Sequence, residues 1–118
     1  MTSQEIAALH GRYVMATYAP TLALVKGRGA RVWDAEGREY LDFLSGIAVT
    51  GIGHCHPRLV SAIRRQAGRL IHTSNIFYNE LQPRLAEALI ARSLAGGRCF
   101  LCNSGAEANE GLIKLARL

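Results

Sequence analysis

The chain has 118 residues, 49% of them hydrophobic and 19% charged, with a net charge of +5. That length and balance describe a globular chain able to build one modest core, and they exclude a disordered one. The positive charge comes almost wholly from scattered arginines, with Lys26 and Lys114 the two lysines. There is no basic run with interleaved aromatics, so no nucleic-acid surface is expected. The longest apolar runs, such as 22–25 and 47–49, are too short to span a bilayer, and no membrane role is expected. Three cysteines without a framework spacing, and no basic-then-apolar leader, suit a reducing, cytoplasmic setting.

Taken in order, Ile6, Leu9, Tyr13 and Val14 fall at helical spacing, which predicts an amphipathic helix from Ser3 to about Tyr18, stopped by Pro20. Three β-like runs follow, Leu22 to Lys26, Ala30 to Asp34 and Glu39 to Phe43. The turn sequences at 27–29 and 35–37 make them a hairpin-linked meander. Residues 45–57 are glycine-rich and aperiodic, which reads as a loop able to approach a ligand closely. His54 and His56 lack further ligands at metal-binding spacing, so no metal is expected.

Pro57 suits the first position of a helix running to about Leu70, with Leu59, Ile63, Ala67 and Leu70 on its buried face. The polar and aromatic stretch 72–78 is a connection. Asn79 with Gln82 opens another helix, carrying Leu81, Leu85, Leu89 and Leu94 and ended by Gly96 and Gly97. Cys99 to Cys102 then reads as a short buried strand, in which thiols an odd number apart diverge rather than form a redox or metal pair. Ser104 opens a last helix with Ala108, Leu112, Ile113 and Ala116 on one face.

A strand, a turn of small residues and a helix in immediate succession form a ready anion site, because first-turn amides lack intrahelical partners and the helix dipole favours negative charge. Gly105 and Ala106 are small enough to let a phosphate reach the backbone. The same residues also fit a capping box, Ser104 with Glu107, which needs no ligand. A buried strand needs neighbours, and the chain stops one helix later, so it reads as part of a larger α/β protein. A small free-standing anion-binding module is the other reading.

Six ordered motifs carry a more specific signal: 33–37 (WDAEG), 40–43 (YLDF), 46–49 (GIAV), 53–57 (GHCHP), 72–75 (HTSN) and 103–110 (NSGAEANE) with 114–117 (KLAR). Together they resemble the N-terminal part of the class III pyridoxal-phosphate aminotransferases, most closely the acetylornithine branch of arginine biosynthesis. The resemblance runs from about Tyr13 to Leu118. It implies an α/β, fold type I (aspartate aminotransferase-like) transferase, homodimeric when full length, with residues 1–55 on the small-domain side and 56–118 beginning the large domain.

It further implies pyridoxal 5'-phosphate held at its phosphate by Ser104, Gly105 and Ala106, with Tyr18 and Ile47 near the substrate. The implied reaction moves an amino group between a small-molecule donor, N2-acetylornithine, and 2-oxoglutarate by a ping-pong mechanism. Thr50, where such sequences often have Asn, and Ile52, where Leu is usual, leave room for another amine, such as ornithine, succinylornithine or 4-aminobutyrate. The cofactor-linked lysine of family members belongs downstream of Leu118. Lys114, roughly 13 Å along the helix from the phosphate turn, does not replace it. No catalytic residue is therefore assigned to these 118 residues, and alone they are expected to be inactive.

Overall fold

The computed structural model describes residues 1–93 and 96–118. They form two compact units, 1–71 and 72–118.

The first unit opens with α1, Ser3–Tyr13. Its start is set by a capping box, in which Thr2 Oγ1 accepts from the Glu5 N–H and the Glu5 carboxylate accepts from the Thr2 N–H. A second carboxylate reaches the same turn, since Glu36 Oε1 accepts from the Ser3 N–H at 2.8 Å. The helix ends at Val14, which is extended while its N–H still closes the last turn on the His10 carbonyl at 2.8 Å. It is thus shorter than its periodicity predicts, because β-branched Val14 and Thr17 leave the helix before Pro20 has to break it.

The meander is β1 (Leu24–Arg28), β2 (Arg31–Asp34) and β3 (Glu39–Leu41), antiparallel in the order β1-β2-β3. Among the described residues, Val32 and Asp34, both on β2, are the buried ones. Buried Asp34 is paid in hydrogen bonds: Oδ1 accepts from the N–H groups of Glu36 and Arg38, and Oδ2 from Arg38 Nε at 2.7 Å and Tyr40 Oη at 2.9 Å. One carboxylate thereby ties the β2-β3 turn to both of its strands. Arg31 and Glu39 pair across the same hairpin. Trp33 stacks under the Lys26 ammonium at 4.7 Å.

After β3 comes a single turn, α2 (Ser45–Ala48), and then α3 (Pro57–Ala67), opened by its N-terminal proline. The second unit holds α4 (Leu81–Ser93) and α5 (Gly105–Leu115). Asn79 Oδ1 accepts from the N–H groups of Leu81 and Gln82, the cap expected for α4. Leu94, expected on the apolar face of α4, lies outside the described residues.

Two expectations are corrected. Residues 99–102 do not form a buried strand: they are in no regular element, and Phe100 is 70% exposed. A strand exists only where another segment completes its ladder, and among the described residues no backbone–backbone hydrogen bond reaches this segment; its neighbours are helical, with Phe100 against Gly111 of α5. The apolar faces of the helices are also not covered, since none of the five has a buried residue among those described.

Candidate functional site: an amide cradle and a left-handed turn

The start of α5 is built from its cap outward. Ser104 is extended, with φ −150° and ψ 160°, and its Oγ accepts from the Glu107 N–H at 3.2 Å. The Glu107 carboxylate bends back to accept from the Asn103 N–H at 2.6 Å, one residue further than a standard capping box reaches. The Ser104 carbonyl takes the first helical bond, from Ala108 at 3.1 Å.

This arrangement leaves the N–H groups of Ser104, Gly105 and Ala106 without an acceptor among the described residues. The cap and an anion do not compete, because Glu107 and Asn103 supply the amides used by the cap. A Cβ built on Gly105 would meet nothing within 4 Å, so the space above these amides is open. Ala106 borders a groove of about 960 Å³ along α5, which Phe100, Asn103 and Glu107 also line. Three free amides at the positive end of an eleven-residue helix, facing open space, fit a phosphate monoester.

The sites expected in the first unit are placed differently. Tyr18 lies between α1 and β1, 86% exposed, and its side chain makes no hydrogen bond among the described residues. Ile47 lies in α2, 82% exposed. Every residue of that turn is left-handed: Ser45 (φ 50°), Gly46 (60°), Ile47 (58°) and Ala48 (66°). For the three that carry a Cβ this costs about 1–2 kcal/mol each, and for β-branched Ile47 it is a true outlier. Such strain persists only where the surroundings over-determine it, and it concentrates at functional sites.

What surrounds the turn escaped the sequence reading. Asp42 Oδ1 accepts from the N–H groups of Leu44 at 2.9 Å and Ser45 at 2.8 Å, and Oδ2 lies 2.6 Å from His54 Nε2. Hydrogen bonds from His54 and from the Ser45 amide hold the Asp42 carboxyl below its ordinary value of 3.8. An Asp placed three residues before a glycine-bearing turn is an Asx-turn signal that could have been read. Its histidine partner, twelve residues away, could not. Thr50 Oγ1 and His56 Nδ1 are buried without a hydrogen-bond partner among the described residues.

Neither lysine is free. Lys114 Nζ pairs with Glu110 Oε2 at 3.0 Å one turn back along α5, and Lys26 is engaged by Trp33. Among the described residues no group of three or more His, Cys, Asp or Glu side chains could hold a metal, and no helix is long and apolar enough to cross a membrane.

Free amides at a helix start in an α/β chain are an arrangement that anion-binding proteins use. The family model for aminotransferase class-III matches residues 13–118, and the chain belongs to that family. It is 58% identical over 107 residues to an acetylornithine aminotransferase of Caldanaerobacter subterraneus, covering 90% of this chain and 27% of that protein. An ornithine aminotransferase structure from Toxoplasma gondii superposes with a TM-score of 0.91 at 40% identity, over 99% of this chain and 28% of that one. The taurine:2-oxoglutarate aminotransferase of Bifidobacterium kashiwanohense, solved in complex with pyridoxal phosphate and glutamate, is 33% identical with a TM-score of 0.90, over 99% of this chain and 28% of that one. These similarities point to pyridoxal phosphate as the cofactor. The chain spans less than a third of the length of each of these relatives.

Proposed function

We propose that this chain is the phosphate-side portion of a pyridoxal-phosphate aminotransferase that moves an amino group between N2-acetylornithine and 2-oxoglutarate in arginine biosynthesis. The observation that carries the reading is the set of unpartnered amides at Ser104, Gly105 and Ala106 in a chain of this family. These amides would take the cofactor's phosphate, and Ser104 would bind it while still capping Glu107. When bound, the cofactor supplies the electron sink for cleavage next to the amino group.

Tyr18 and the left-handed turn at Ile47 would face the amino donor. Their exposure, and the strain held at Ile47, support that role. Residues 1–55 would lie on the small-domain side and 56–118 would begin the large domain of a cytoplasmic homodimer. All three cysteines are free, as a reducing compartment requires. The ornithine aminotransferase likeness favours a second donor, ornithine, within the same reaction class.

Because Lys114 lies roughly 13 Å along α5 from the phosphate turn, too far to take the place of a cofactor-linked lysine, the 118 residues by themselves would hold phosphate without performing transamination. Titrating the chain with pyridoxal 5'-phosphate, followed by NMR, should shift the amides of 104–106 first. Inorganic phosphate should compete. Unmoved amides there would defeat the site, and transamination of acetylornithine well above that of free cofactor would defeat the division of labour.

A further inference from the structure

A run of four left-handed residues, three of them bearing side chains, does not hold itself. Its own hydrogen bonds are local: Ile47 and Ala48 donate to the Leu44 carbonyl at 2.9 and 3.2 Å, and Thr50 donates to the Ser45 carbonyl at 2.9 Å. These close the turn without attaching it to anything. The attachment is made by two side chains. Asp42 grips the turn's entry through the Leu44 and Ser45 amides and spends its other oxygen on His54.

His54 is itself fixed to the sheet. Its N–H and carbonyl exchange hydrogen bonds with Gly29, at 2.8 and 2.9 Å, and its ring packs on Gly27 so closely that a Cβ there would sit 2.7 Å from Cγ. The two side chains are only 14% and 27% exposed for Asp42 and His54. An ionised carboxylate offers acceptors only, so Nε2 carries the proton in this pair. The tautomer is thereby set by Asp42.

We propose that Asp42 and His54 are a positioning pair, which transmits the rigidity of the meander to the turn at Ser45–Ala48 and so fixes how Ile47 is presented. The use of that presentation at the amino donor rests on the function proposed above, whereas the control of the turn does not.

The test is made by NMR and hydrogen exchange on the 118-residue chain, held below the concentration at which it associates, with the β1 and β2 amides as the folding control. A positive φ at Ile47 gives a strong intraresidue HN–Hα NOE, and this is expected in the wild type. His54→Ala, which removes one charged hydrogen bond, should abolish it and speed exchange at Ile47, Ala48 and Thr50 by at least about tenfold, and Asp42→Ala, which removes that bond and both amide contacts, should do so at least as strongly. The double variant should be no worse than Asp42→Ala alone. Asp42→Asn should rescue the NOE, because its Oδ1 still accepts from Leu44 and Ser45 while its Nδ2 donates to the other tautomer of His54. A strong NOE surviving in Asp42→Ala with the meander intact would overturn the proposal, as would its absence from the wild type. Amino-donor binding is read separately, by shifts on adding acetylornithine, so its failure would strike the functional reading and leave the pair in place.

Discussion

At the scale of single residues, the buried carboxylate of Asp34 organises the meander and has a measurable signature. Burial alone would raise the pKa of Asp34, but hydrogen bonds from Arg38 and Tyr40 outweigh it and bring the group down to about 2. A folded value below the unfolded one means that the contribution is complete above about pH 4 and is lost as pH falls toward 2. Acid unfolding of the meander, followed by circular dichroism, should therefore show a step in that window, and Asp34→Asn should shrink it, leaving the part that Glu36 and Asp42 contribute. At Ile47 the strain is conformational. Ile47→Gly should stabilise the chain by about 0.5–1 kcal/mol in denaturant titrations, the left-handed cost less the extra chain entropy of glycine. A loss of stability would show that the side chain contributes packing that its exposure does not suggest.

At the scale of elements, the starts were more legible than the ends. Asn79, Pro57 and Ser104 each announce a helix through local chemistry, and each helix begins where that chemistry puts it. The meander was readable for the same reason, since its turns are encoded within a few residues of its strands. The strand expected at 99–102 was not obtained, because a strand is a property of two segments and only one is written there. The Asp42 link to His54 was missed for a related reason: twelve residues of aperiodic loop carry no period that would connect them. The start of α5 allows a double prediction. Ser104→Ala should cost about 1 kcal/mol of helix stability through loss of the cap. It should weaken phosphate binding less than Gly105→Val does, because valine's branched side chain would occupy the space over the free amides.

At the scale of the whole molecule, the described chain exposes 10812 Å². A folded monomer of 12.8 kDa exposes roughly 6,300 Å², and two separate units of half that mass roughly 7,600 Å² in all. The excess lies on helix faces patterned for burial, such as Leu59, Ile63 and Leu85. The isolated chain should bind an apolar dye and associate with rising concentration, as read by fluorescence and sedimentation. A dye-silent monomer with a sharp thermal transition would contradict this and favour a free-standing module. Within the first unit, the N-terminal arm is held at one end by the Glu36 carboxylate on Ser3. Removing that charge with Glu36→Ala would leave the helix's positive end unclasped, so limited trypsin treatment should then cut first after Arg12, releasing the arm while the three strands stay whole.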